Sequence, residues 1–244
     1  MESEAVVPVR RRGRPTGRTA QGEATRARLY EVATRLIAER GWEATTLRDV
    51  AAEAGVSPGL LYRYYPSKRA VVLAMYQELT TEYAARAIAM PPGTWRARFA
   101  FALRTSLATL APQRSTLISL LPALMGAGEE GIFSATTSAS RDAVRAVFDE
   151  AVAGASDAPR GATAPALGWL LYLTHLAVIL FWLYDRSPSQ RATTAALDLL
   201  DQALRLIAPA LRLPGVGGVV RRAGQVSRVA LLVEWPHTEP STRF

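Results

Sequence analysis

Residues 165–184 read PALGWLLYLTHLAVILFWLY, twenty positions without a formal charge. A helix that is apolar on every side must be surrounded on every side, by protein or by lipid. Burial in protein is the expected solution. The stretch carries Gly168, Thr174 and His175 in its middle, no second stretch of this kind accompanies it, and a companion follows directly. After Ser187-Pro188, Leu197, Leu200, Leu204, Ile207 and Leu211 recur at helical spacing. The two segments predict an antiparallel helical hairpin joined through Asp185–Ser187, with no membrane partner. Hairpins from two copies would form a four-helix homodimer seam, with Leu173, Leu176, Leu180, Leu197, Leu200, Leu204 and Ile207 as the expected interface. The competing expectation is a membrane anchor formed by residues 165–184.

Composition narrows the chemistry. The 244 residues contain no cysteine and two histidines, His175 and His237. That excludes a disulfide scaffold, a thiolate metal site and a cysteine nucleophile, and it leaves little for imidazole chemistry. No dinucleotide, P-loop, zincin or nucleophile-elbow motif occurs. The expectation is a chain without catalytic residues, cofactor or metal. The formal charge of +8 and pI of about 10.4 point to a polyanion or an anionic surface as partner.

Charge is concentrated at one end. Residues 1–28 carry seven arginines against three glutamates, and residues 1–70 hold +5 of the +8. The run VRRRGRPTGRTA has Gly and Pro punctuation and no apolar period, so residues 1–24 are expected to form a flexible basic arm. The charges are not followed by an apolar core as in a signal peptide, which predicts a cytoplasmic protein. An arginine arm next to a DNA-reading unit suits a narrow minor groove, with Arg12 and Arg14 as candidates.

The following segment has that character. Leu29, Val32, Ala33, Leu36 and Ile37 form one face of a helix ending at Gly41. Thr46 and Asp49 make a capping-box start for a short second helix, whose inward face is Leu47, Val50, Ala51 and Ala54. Gly55 stops it. Ser57 then caps a third helix with Pro58 in its first turn, running to Tyr65 before Pro66. Two short helices joined through Ala54-Gly55-Val56-Ser57 have the spacing of a helix-turn-helix. Leu61 and Tyr65 are four apart and face the core, which leaves Tyr62, Arg63 and Tyr64 outward.

The stretch TRARLYEVATRLIAERGWEATTLRDVAAEAGVSPGLLYRYYPSKRAVV resembles the N-terminal domain of the TetR family of bacterial transcriptional regulators over about residues 25–72. The AERGW-x-x-TT and AGVS-x-G-x-LY-x-Y-Y/F-x-x-K segments carry the resemblance together. Tyr65 stands where phenylalanine is more usual. The resemblance implies an all-α protein, an N-terminal helix-turn-helix domain followed by a helical bundle with a four-helix dimer interface. It implies double-stranded DNA as partner, and a two-fold dimer gripping two half-sites makes a palindromic operator the expected target. Thr46 and Arg48 would lie at the DNA-facing start of the second helix. Ser57, Pro58, Gly59, Leu60 and Arg63 would reach base edges, and Tyr62, Tyr64 and Lys68 phosphates.

From residue 67 onward the chain reads as helices at about 67–90, 94–110, 115–126 with a kink or break at Pro122, 132–153, 165–184 and 188–211. Residues 73–212 are expected to form a ligand-binding and dimerisation domain. The resemblance implies a small-molecule effector held there. Trp95, Phe99, Leu103, Leu117, Leu121, Met125, Phe133, Phe148, Trp169, Tyr172 and His175 are the candidate lining. Arg104, Gln113 and Arg114, with His175, are the polar groups that would orient such an effector. Repression relieved by an apolar effector is the expected mode, against activation or ligand-independent regulation in the same fold. Residues 213–244 fall outside the helical pattern: glycines suggest a linker, and Val229–Trp235 a short strand.

Overall fold

The computed structural model describes residues 20–125 and 131–232, and every regular element among them is helical. Helices α1 (Ala20–Arg40), α2 (Leu47–Glu53), α3 (Pro58–Tyr64) and α4 (Lys68–Ala87) open the chain. They are followed by α5 (Trp95–Leu110), α6 (Arg114–Met125), α7 (Ser138–Ala153), α8 (Thr163–Tyr184), α9 (Arg191–Ile207) and α10 (Val216–Leu232). Arg12, Arg14 and the rest of the arm's arginines up to Arg18 lie outside the described residues, as does His237.

The first four helices share one core. Leu29, Ala33 and Leu36 of α1 meet Leu47, Val50 and Ala51 of α2, Leu61 of α3 and Val71 of α4, with Tyr65 closing the cluster. Of the α1 positions at helical spacing, Leu29, Ala33 and Leu36 are buried here, Val32 is half-buried at the edge of this core, and Ile37 is buried elsewhere. Gly41 and Gly55 both have positive φ, 89° and 66°, and end α1 and α2 where a side chain would strain the backbone.

The larger bundle has two apolar centres. Trp95, Phe99, Phe148, Trp169 and Tyr172 join α5, α7 and α8 in one. In the other, Ile37 of α1 and Val72 and Met75 of α4 meet Leu117, Leu120, Leu121 and Leu124 of α6 and Trp182 of α8. This second centre fastens the N-terminal unit to the bundle. Thr116 adds a hydrogen bond to the Thr34 carbonyl at 3.3 Å. Helix α8 is long and apolar enough to cross a membrane, yet half of its most apolar stretch is buried inside this one chain.

Several expectations are corrected. The helix expected over 132–153 begins only at Ser138. That expected over 188–211 is divided by short 3-10 turns at Pro188–Gln190 and Ala208–Arg212, each containing a proline that cannot donate to a helical ladder. Pro122 lies inside α6, which runs through it to Met125. The largest correction is at the C-terminus. Residues 216–232 are neither linker nor strand but helix α10, so Val229 is helical; residues 233–235 lie outside the described residues. The glycines mislead because they serve packing. A Cβ on Gly224 would stand 3.2 Å from the Ala166 Cβ, and one on Gly217 would stand 3.0 Å from the Thr163 hydroxyl. Gly217, Val220, Gly224 and Ser227 thus form a narrow stripe that lets α10 lie close against α8, which offsets the ~1 kcal/mol each helical glycine costs. Trp169 donates its indole N–H to Ser227 at 2.9 Å, and Arg228 lies over its ring.

Candidate nucleic-acid interface and effector cavity

The turn between α2 and α3 is organised by its caps. The Thr46 hydroxyl accepts from the Asp49 N–H at 3.2 Å, while the Thr46 N–H and hydroxyl both donate to the Asp49 carboxylate at 2.9 and 2.6 Å. These bonds, with Arg40 nearby, hold the Asp49 carboxyl below the usual carboxylate range. Ser57 caps α3 by accepting from the Leu60 N–H at 3.2 Å, and Pro58 occupies the first turn.

Helix α3 turns Leu61 inward and leaves Pro58, Gly59, Tyr62 and Arg63 exposed; Thr46, Arg48 and Ser57 are exposed as well. A Cβ on Gly59 would meet nothing within 4 Å. No packing inside the protein therefore asks for glycine there. Leu60 is half-buried. Tyr64 packs against the domain core rather than pointing outward, and the Tyr65 hydroxyl donates to the Arg26 carbonyl at 3.4 Å. Lys68 is the main surprise. Its ammonium donates to the Trp42 carbonyl at 2.6 Å and sits 4.3 Å from the centre of the Trp42 ring, so it ties the start of α4 to the loop after α1. One further cation, Arg28, lies beside Gly55 at the turn, 3.9 Å from where a Cβ there would stand. Sequence spacing carries no sign of that contact.

In the bundle, a cavity of about 160 Å³ lies between α4, α5, α6, α7 and α8. Leu117, Leu121, Met125, Tyr172 and His175 line it as expected. Trp95, Phe99, Leu103, Phe148 and Trp169 do not: they belong to the apolar core that joins α5, α7 and α8, and Trp95 also borders a second cleft. Phe133 is half-buried outside the cavity. Leu176 and Leu180, expected in a dimer seam, instead face the cavity.

His175 is 2% exposed, and burial pushes its pKa down to about 3, so the ring is neutral. One ring nitrogen, Nε2, shares a 2.7 Å hydrogen bond with Ser106; the other, Nδ1, has no partner. Arg141, also in the lining, donates to the Ile132 and Ser134 carbonyls at 3.3 and 3.0 Å and leaves its Nε unpartnered. Sequence reasoning missed Arg141, which has no motif around it. Arg114 is not a cavity group. It clamps the end of α8 by donating to the Trp182, Leu183 and Asp185 carbonyls at 2.9, 3.1 and 2.8 Å. Gln113 accepts from Thr116, and Arg104 is exposed on α5.

The expected seam is also redistributed. Leu197, Leu200 and Leu204 of α9 pack on α5 beside Phe99 and Leu103, and Leu173 packs on the core. Ile207 remains exposed, together with Phe181, Tyr184, Leu199 and Leu206. Helical spacing identified the apolar side of α9 and could not say which body it would face.

Two family profiles match this arrangement. One, described as bacterial regulatory proteins of the tetR family, covers residues 29–75; the other, a tetracyclin repressor-like C-terminal domain, covers residues 98–223, more than half of the chain. The chain belongs to the TetR family. Within it, the HTH-type transcriptional repressor Rv3405c of Mycobacterium tuberculosis is 42% identical over 72 residues, 30% of this chain and 36% of that one. The HTH-type transcriptional repressor KstR2 of Rhodococcus jostii is 41% identical over 58 residues, 24% of this chain and 28% of that one. The similarity thus spans about a third of these relatives' own length. Among solved structures, a tetR-family transcriptional regulator from Streptomyces coelicolor superposes with a TM-score of 0.57 at 22% identity, covering 84% of this chain and 89% of that one. The TetR transcriptional regulator from Nitrosomonas europaea gives 0.55 at 20% identity, over 76% and 98%. These likenesses concern the fold, a helix-turn-helix domain with a helical C-terminal domain, and agree with the all-α expectation.

Proposed function

We propose that this TetR-family chain is a cytoplasmic DNA-binding transcriptional regulator, a repressor that grips a palindromic operator as a homodimer and is released by a small apolar effector. The observation that carries the reading is α3 itself. Its inward side is held by Leu61 and its outward side offers Ser57, Pro58, Gly59, Tyr62 and Arg63, with Thr46 and Arg48 at the start of α2. A helix pair of this size covers few base pairs, so affinity needs two copies on half-sites about one helical turn (~34 Å) or a multiple of it apart. The exposed Phe181, Tyr184, Leu199, Leu206 and Ile207 supply an apolar surface for the second copy, in place of the inward leucines.

The cavity supports the release step. Its volume is close to the roughly 150 Å³ that holds one benzene-sized ring. The unpartnered Arg141 Nε favours an effector that adds a hydrogen-bond acceptor to an apolar body, and His175 Nδ1 offers a second polar contact whose direction follows the ring's tautomer. Helices α4 and α6 line the cavity and also pack on the N-terminal unit through Met75 and Leu117, which gives an occupant a path to the reading heads.

The test is selection of binding sites from random duplexes, followed by footprinting and gel shift. The expected outcome is two protected inverted half-sites, with Arg63→Ala weakening binding by about tenfold or more. A monomer that saturates one half-site as tightly as the full site would overturn the dimeric reading. Duplex binding that is indifferent to Arg63 would overturn the assignment of α3.

A further inference from the structure

A second and larger cleft, of about 850 Å³, lies where the starts of α5, α8 and α10 meet the end of α9. Five arginines line it, Arg96, Arg160, Arg205, Arg212 and Arg221, against one carboxylate, Asp157. That carboxylate is occupied, accepting the Trp95 N–H at 2.7 Å. Arg96 and Arg205 converge on a single further carboxylate, Asp201, at 3.7 and 2.8 Å. Among the described residues, Arg221 donates to an uncharged group, the Thr163 hydroxyl, at 3.1 Å. Arg160 and Arg212 are exposed, and neither makes an ion pair among the described residues. Five guanidiniums held around one concavity with so little acid create a strong positive potential.

The geometry points to a binding site for a phosphorylated small organic anion, of nucleotide size, whose di- or triphosphate group is held by these arginines. The start of α10 borders the same cleft. The run Pro214-Gly215-Val216-Gly217-Gly218 opens a 17-residue helix whose Val216, Gly218 and Val219 N–H groups already donate to the Leu213 and Gly215 carbonyls, so the arginines rather than the helix start would hold the anion. Arg221 lies over the same turn, 3.4 and 3.9 Å from where Cβ atoms on Gly217 and Gly218 would stand. Its guanidinium suits phosphate oxygens. The rest of the wall includes Pro159, Pro209, Leu211 and Leu213, an apolar side for an organic group. The volume lies within the range of pockets that enclose one small molecule, whereas a duplex would touch only the rim. The site is separate from the apolar cavity and shares none of its lining residues.

Isothermal titration of the full chain with sodium tripolyphosphate and with ATP, at about 0.15 M salt, tests this. One ATP per chain is expected, with affinity reduced about tenfold or more by Arg160→Gln with Arg212→Gln and left unchanged by replacing Arg10, Arg11, Arg12 and Arg14 with Gln. Both cleft positions are exposed, so the melting temperature of that variant should match the parent; Arg160→Gln alone provides a second variant. ATP binding more tightly than tripolyphosphate supports an organic ligand, and equal affinity overturns that part. Absence of binding, binding unchanged in the cleft variant, loss in the arm variant instead, or displacement of ATP by a duplex lacking operator half-sites would each overturn the proposal.

Discussion

Ser106 on α5 and His175 on α8, 69 positions apart, are joined by a 2.7 Å hydrogen bond in the wall of the apolar cavity. The ring is buried and its pKa is depressed to about 3, below the ordinary value of 6.5. The unfolded chain therefore binds a proton below pH 6.5 that the folded chain refuses, and stability, complete above pH 6.5, declines as pH falls toward 3. By pH 5.5 the loss from this group should be on the order of 1 kcal/mol. Melting temperatures of the parent and of His175→Gln across pH 7.5 to 5 check it. The variant should show a shallower decline, and parallel curves would refute the assignment.

Thr46 and Asp49 form a reciprocal cap at the start of α2. Thr46→Ala should lower stability by ~1 kcal/mol, read by urea unfolding, while Thr46→Ser keeps the oxygen and most of the stability. If Thr46 also touches DNA, the alanine variant loses more operator affinity than its lower folded fraction accounts for.

Gly59 stands in α3 with nothing within 4 Å of its absent Cβ. Gly59→Ala should thus raise thermal stability, by up to ~1 kcal/mol, because alanine is the better helix former. The same methyl group would stand between α3 and the duplex, so operator affinity should fall. A variant that is more stable and binds DNA undiminished would mean that α3 does not approach the bases as proposed.

Lys68 and Arg63 should separate in their effects. Lys68→Ala removes both the bond to the Trp42 carbonyl and the cation over its ring, costing about 1 kcal/mol of stability. Arg63→Ala should leave the melting temperature within a degree or so and act on DNA binding alone. Equal melting temperatures for the two variants would contradict the anchoring role of Lys68.

Gly168 of α8 lies at a close approach to Asp149 of α7. A Cβ there would stand 2.5 Å from the Asp149 carboxylate and 3.1 Å from its Cα, and the backbone atom cannot swing away. Gly168→Ala should destabilise by about 1–3 kcal/mol. Gly224→Ala, where the nearest atom is at 3.2 Å, should cost less. Chemical denaturation of the two variants, ranked in that order, is the check.

By itself the sequence determined the N-terminal unit. Its contacts join helices close in the chain, so caps, glycine stops and the inward positions Leu29, Leu36, Val50 and Leu61 were legible from spacing. It also marked α8 as a helix that has to be covered. Tertiary structure alone decided what covers it and where each apolar face turns. Leu176 and Leu180 line a cavity, and Leu197, Leu200 and Leu204 pack on α5. The glycines of α10, which read locally as a linker, seat a helix on α8. Arg96, Arg160 and Arg221, scattered along the sequence, meet in one cleft. The reason is physical: helical period reports that a residue has an apolar or small side, whereas the identity of the surface it meets depends on partners distant in sequence, which no local pattern encodes.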